Sequence, residues 1–169
     1  MKINYSFEEI YEKLSPLIYR FVIVRVPASE AEDLTAEIMV KVWRNLAGLK
    51  EKTSLQAWAL SIAYHQIIDY YRSEKHIPVI SANNQPDIEG LTPDHAEQLI
   101  KMNSIEETLT KLPASQVAVI QLRIVEGFSA AEVADILGTS KQAVDSLLYR
   151  AKKRFRKYYA VRNTGGKRL

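Results

Sequence analysis

"SAAEVADILGTSKQAVDSLLYRAKKRFRKYY", Ser129 to Tyr159, reads as two short helices around one glycine, the second of them densely basic. Ser129 stands three residues before Glu132, the spacing at which a hydroxyl and a carboxylate cap a helix start reciprocally. Gly138 follows the apolar pair Ile136-Leu137 and suits the sharp turn of a helix-turn-helix unit. Beyond it Val144, Leu148, Ala151, Phe155 and Tyr158 recur at helical spacing and form a narrow apolar stripe. The other side presents Gln142, Asp145, Ser146, Tyr149, Lys153 and Arg156. Short polar groups near a helix start reach base edges in a major groove, and Lys or Arg further along neutralise phosphates. A plain amphipathic helix with a solvated basic face has the same pattern, so the helix alone leaves both readings open.

Charge is distributed in the same sense. Ten of the 23 basic side chains but only one of the 20 acids, Asp145, fall in residues 140–169, so that segment carries +9 and the remainder −6. A basic end on an otherwise acidic chain points to a polyanion as partner for that end alone. Residues 162–169, with Gly165-Gly166, read as a solvated basic tail.

Working outward toward the N-terminus, the Ser/Thr-x-x-Glu/Gln spacing recurs at Ser6 with Glu9, Ser29 with Glu32, Thr53 with Gln56, and Thr139 with Gln142. Each precedes apolar residues at helical spacing. No run alternates apolar and polar residues long enough for a strand, and no Asn-Gly or Asp-Gly hairpin signal occurs, so the expected fold is all-α. The periodicity breaks once, in "HIPVISANNQPDIEGLTPDHA" (76–96), which holds three of the six prolines; residues 77–100 hold four acids and no Lys or Arg. A flexible linker over 76–95 is expected, between a helical domain at 1–75 and a second at 96–169.

In the first domain Ala31, Leu34, Ile38, Val42 and Leu46 form an apolar stripe, with Glu30, Asp33, Glu37, Lys41 and Arg44 on a separate charged face. The next helix, Ser54 to Lys75, is expected to bury Leu60, Ala63, Ile67 and Tyr71 and to expose Trp58, Ser61, His65, Asp69 and Arg72. Trp43 reads as core; Trp58, on the polar side, fits a core position and a base-stacking surface equally.

The absence of cysteine excludes disulfides and thiolate metal sites, and His65, His76 and His95 are poorly spaced as ligands, so no metal or cofactor is expected. The N-terminus lacks the basic-then-apolar order of a signal peptide. The longest apolar stretch, Leu17 to Pro27, is cut by Arg20 and Arg25 and is too short for a bilayer. A soluble, cytoplasmic protein is expected, without membrane insertion. No phosphate loop, nucleophile motif or small-molecule site is visible, so an enzyme is not expected.

Three segments together carry a resemblance: "AEDLTAEIMVKVWRNL" (31–46), "SLQAWALSIAYHQIIDYYR" (54–72) and "LPASQVAVIQLRIVEGFSAAEVADILGTSKQAVDSLLYRAKKRF" (112–155). Their order and spacing resemble the extracytoplasmic-function (ECF) group of bacterial sigma factors in the sigma-70 family, over nearly the whole chain. The resemblance implies a sigma region 2 domain over 1–75 and a region 4 helix-turn-helix domain over 96–169. It implies that Asp33, Glu37, Lys41 and Arg44 bind the clamp coiled coil of the β′ subunit of core RNA polymerase. Trp58, Ser61, Tyr64, His65, Arg72 and Lys75 would meet the minus-10 element, and Lys141, Gln142, Asp145, Ser146, Tyr149, Arg150 and Lys153 the minus-35 element. An anti-sigma factor is a further implied partner beside polymerase and promoter DNA. The chain departs from the family pattern at Ala36 and Met39, where Gln and Phe are usual, and at His65, where Asn is usual. Asp145 and Leu147 stand where two basic residues are usual. The alternatives are a stand-alone helix-turn-helix regulator, whose N-terminal half would sense or dimerise, and a helical interaction protein that binds no nucleic acid.

Overall fold

The computed structural model describes residues 5–50, 54–73 and 93–164. Every regular element among them is helical: α1 (Phe7–Ile23), α2 (Ala28–Asn45), α3 (Leu55–Ser73), α4 (Pro93–Thr110), α5 (Ala114–Ile120), α6 (Ala130–Leu137) and α7 (Lys141–Thr164). A 3-10 turn, Leu46–Gly48, follows α2, and a π-helical stretch, Gln121–Val125, continues α5. Lys75 and residues 76–92 of the expected linker lie outside the described residues, and α4 begins at Pro93.

Helices α1, α2 and α3 pack on one another. They do so because each carries apolar residues at three- and four-residue spacing. α1 buries Ile10, Leu14, Leu17, Ile18, Phe21 and Val22, and α2 buries Ala31, Leu34, Ile38, Met39 and Val42. α3 adds Ala57, Ala59, Leu60, Ala63 and Ile67, while Tyr71 of the expected stripe is half-buried. In the second half α4, α5 and α6 pack around α7, which buries Val144 and Ala151. Ser104 and Thr108 are the buried polar residues of α4, and Thr108 Oγ1 donates to the Ser104 carbonyl at 2.6 Å, so its hydroxyl is satisfied within the helix. Arg162 near the end of α7 pairs with Glu107 of α4.

The helix starts are only partly those the capping spacing marks out. At α1 both arms of the box form: Ser6 Oγ accepts from Glu9 N at 3.2 Å, and Ser6 N donates to Glu9 at 2.8 Å. The box Ser129/Glu132 of α6 forms identically, and hydrogen bonding from the Ser129 backbone N–H, and next from its hydroxyl, holds the Glu132 carboxyl below the ordinary carboxylate pKa. Ser29 is not a cap. α2 begins two residues earlier than a Ser29 cap would set it, after Pro27, whose φ of −54° and carbonyl bond to Glu30 N (2.9 Å) already set the first turn. At α7 the cap is Ser140, whose Oγ accepts from Ala143 N at 3.1 Å, and not Thr139. At α3 it is Ser54, accepting from Ala57 N at 3.0 Å; Thr53 lies outside the described residues.

Gly138 ends α6 at φ 64°, ψ 42°, the left-handed conformation that glycine adopts without a Cβ clash. Thr139 N reaches back to the Ala134 carbonyl at 2.9 Å, closing the turn. Gly127, at φ 74°, ends the π-helical stretch in the same way, and sequence spacing gave no warning of it.

The two halves are in contact. α3 packs against α6, and a continuous cluster of buried side chains runs from Ile10 through Ile67 to Leu122, Val133 and Ala151. At the junction Arg20 and Glu126 form an ion pair at 3.4 Å. Gln121 donates from Nε2 to the Arg20 carbonyl at 2.7 Å and accepts from Arg25 Nη1 at 2.9 Å.

Candidate nucleic-acid and polymerase interfaces

Helix α7 has three faces. Val144, Leu148, Ala151 and Phe155 turn inward, buried or half-buried. Lys141, Gln142, Asp145, Ser146, Tyr149, Arg150 and Lys153, the residues expected to read the minus-35 element, are all exposed, Tyr149 at 69%. The hydroxyl cap at Ser140 and the turn at Gly138 fix where this helix begins, and so which residues its first two turns present. The third face consists of Ala143, Leu147 and Arg150, spaced four and three apart. These residues line a crevice with Leu137 and Thr139 whose far wall is Tyr64 of α3. Leu147 is half-buried there, packed against the core.

On α3 the candidate residues divide. His65 and Arg72 are exposed, whereas Trp58, Ser61 and Tyr64 are half-buried. Trp58 and Tyr64 pack against the core, so Trp58 is a partly buried core residue with one side left to solvent. Burial raises the pKa of Tyr64, and the charge of Arg25 opposes that rise. The His65 ring stands edge-on to Tyr64 with centroids 5.9 Å apart, and its Nδ1 lies 2.7 Å from the Ser61 carbonyl oxygen. A carbonyl only accepts, so Nδ1 carries the hydrogen and Nε2 is left toward solvent. Lys75 lies outside the described residues.

The polymerase-facing candidates Asp33, Glu37, Lys41 and Arg44 are all exposed along one side of α2. Asp33, Glu37 and Lys41 line a groove between α2 and α3, together with Glu30, Gln66, Asp69, Tyr70 and Ser73. Lys41 Nζ donates to Gln66, and Tyr70 OH donates to Glu30 at 2.6 Å, so both helices are tied across the groove. Four carboxylates, Glu30, Asp33, Glu37 and Asp69, give it negative potential that suits a basic partner. Sequence spacing identified the α2 members; Asp69 joins them only because α3 packs alongside.

Trp43 departs from its expected place in the core. It is 40% exposed, edge-on to Phe7 with centroids 5.3 Å apart, because it sits at the open end of α1 and α2 rather than between them. Arg25 departs in the opposite sense: it is 5% exposed, with its guanidinium 3.7 Å from the Phe21 ring centroid. Burial lowers its pKa from the ordinary arginine value to about 9, with the neighbouring Tyr71 and Tyr64 opposing the shift. Its Nη1 donates to the Phe21 carbonyl and to Gln121, whereas Nε and Nη2 have no partner among the described residues. Nothing in the local sequence distinguishes this arginine from a surface one.

Among the described residues no group of His, Cys, Asp and Glu could hold a metal ion, and no helix is long and apolar enough to cross a membrane.

Comparison with known proteins agrees with this geometry. The model of sigma-70 region 2 matches residues 10–77 and that of sigma-70, region 4 matches residues 102–155. The RNA polymerase sigma factor YlaC of Bacillus subtilis is 28% identical over 162 residues, covering 93% of this chain and 94% of its own. The ECF RNA polymerase sigma factor SigX of the same organism is 29% identical over 161 residues, covering 90% and 83%. Among solved structures, the sigma factor RpoE of Bartonella quintana, determined with the anti-sigma factor NepR, shares the fold with a TM-score of 0.71 at 23% identity, covering 92% of this chain and 97% of its own. CnrH, determined with the cytosolic domain of CnrY, does so at 0.66 and 20%, covering 92% and 88%. With both regions present, in order and over most of its length, the chain belongs to the sigma-70 family of RNA polymerase sigma factors, in the ECF group.

Proposed function

We propose that this chain binds core RNA polymerase and directs it to promoters whose minus-10 and minus-35 elements it reads with separate surfaces. The carrying observation is the exposed face of α7 from Lys141 to Lys153, on the only strongly basic part of an otherwise acidic chain. The α4–α7 half serves as the minus-35 domain, with α4 beginning at Pro93, three residues ahead of the expected boundary at 96, and the α1–α3 half, within 1–75, as the domain for polymerase and the minus-10 element. Residues 76–92 connect them. Asp33, Glu37, Lys41 and Arg44 make the contact with the clamp coiled coil of the β′ subunit. Trp58, Ser61, Tyr64, His65, Arg72 and Lys75 meet the minus-10 element. The protein acts as an initiation factor, without catalysis of its own, in the cytoplasm where polymerase works. An anti-sigma factor restrains it, as the solved complexes of RpoE and CnrH illustrate for their own chains.

One recognition helix offers few contacts, and the acidic first half repels DNA. The free chain is therefore expected to bind promoter duplex weakly and without selectivity, with a salt slope near −0.9 per phosphate neutralised. Titration of labelled promoter and scrambled duplexes, with and without core polymerase, tests this: selectivity is expected only with core. Tight, selective binding by the chain alone would favour a stand-alone regulator.

A further inference from the structure

We infer that His65 of α3 enters the minus-10 contact as an obligate hydrogen-bond acceptor, and so selects a base that offers an exocyclic amine, adenine or cytosine. The inference rests on the proposed promoter reading, which supplies the base that His65 faces.

The His65 ring is held from two sides. Its Nδ1 lies 2.7 Å from the Ser61 carbonyl oxygen, and the ring stands edge-on to Tyr64, itself packed against the core, with centroids 5.9 Å apart. The carbonyl can only accept, so the single N–H hydrogen of the neutral ring sits on Nδ1 and Nε2 carries a lone pair. Moving that hydrogen to Nε2 would break the bond and set two lone pairs against each other. Ser61 belongs to the same helix, one turn back, so the restraint travels with α3 into any complex. His65 is exposed, and Nε2 is the ring nitrogen left to meet a partner.

The other side chains proposed for this contact give such an acceptor its selective effect. The Trp58 indole, the Arg72 guanidinium and the Lys75 ammonium only donate, while the Ser61 and Tyr64 hydroxyls rotate to do either. Donors alone suit guanine O6 and thymine O4, the acceptor oxygens of the major groove. Adenine N6 and cytosine N4 are the amines there, and the neutral His65 Nε2 is the one fixed acceptor of the set to receive them. The departure from the family pattern gains a meaning here. The asparagine usual at this position has an amide that turns over to offer a donor or an acceptor; the locked imidazole keeps only the acceptor.

Two measurements test this. NMR of the ring nitrogens in isotopically labelled full chain at mildly alkaline pH, with His65→Asn to assign the ring among the three histidines, is expected to show the hydrogen on Nδ1. A hydrogen on Nε2 would overturn the lock and the acceptor role with it. Transcription with core polymerase is then read from templates carrying each base at each minus-10 position. One position is expected where wild type prefers adenine or cytosine and His65→Asn accepts all four bases more evenly. Replacing that adenine by purine, or that cytosine by pyrimidin-2-one, deletes only the amine. The deletion is expected to lower wild-type transcription about fivefold, the size of one hydrogen bond, beyond its effect with His65→Ala. Weaker pairing of the analogue is common to both proteins and cancels in the comparison. An equal loss in both, or a preference for guanine or thymine that depends on His65, would overturn the acceptor role and leave the sigma-factor reading intact. No chain-dependent transcript from any template would instead remove the promoter reading, and this inference with it, whatever the tautomer of the ring.

Discussion

Asp145 is where a single side chain has most to say about sequence preference. It stands on the exposed face of α7 beside Ser146, with Gln142 and Tyr149 one turn to either side, and Lys141, Arg150, Lys152 and Lys153 nearby in sequence offset its charge. A carboxylate repels phosphate but accepts from cytosine N4. If it reads one base, Asp145→Ala costs ~1 to 3 kcal/mol at that base pair and little elsewhere. Transcription from a library of minus-35 variants, with wild type, Asp145→Ala and Asp145→Arg, measures this. A uniform gain from Asp145→Arg with unchanged base preference would reject a reading role. This face of α7 was legible in the sequence because period and polarity coincide along one helix. Arg25 and Leu147 were not. Their surroundings depend on Gln121 and Tyr64, which are 96 and 83 positions away in the chain, and no local pattern encodes such a meeting.

At the scale of the helix, the elements were readable and their first residues were not. The Ser/Thr-x-x-Glu/Gln spacing located the starts of α1 and α6 correctly, because both arms of the box form there. At α7 the cap is not Thr139 of the expected Thr139/Gln142 box but its neighbour Ser140, since spacing cannot separate adjacent hydroxyls and the turn at Gly138 decides which one faces the free amides. Ser140→Ala is therefore expected to lower stability by about 1 kcal/mol, and Thr139→Ala by much less. Urea unfolding of the two variants measures the difference, and equal losses would contradict the assignment of the cap. On α2, Asp33 and Glu37 sit one turn apart, exposed and clear of the core. Replacing both by Lys is expected to change unfolding by only about 0.5 kcal/mol, as exposed substitutions do, yet to weaken co-purification with core polymerase. Retention of full pull-down would remove these two residues from the polymerase contact.

For the whole molecule, the all-α class follows from periodicity alone, because no segment alternates with a period of two. The arrangement of the halves does not, since it is set by a few side chains at the α3–α6 junction and not by any helix's own pattern. The acidic groove between α2 and α3 was half legible: one wall is a helix face, and the other, with Asp69, exists only after packing. The functional account stands or falls with initiation. Run-off transcription with purified bacterial core polymerase, on a template carrying a promoter selected by this chain, tests it most directly. The account predicts a discrete transcript from a fixed start site only when both core and chain are present. Absence of any chain-dependent transcript, alongside selective duplex binding by the chain alone, would contradict it.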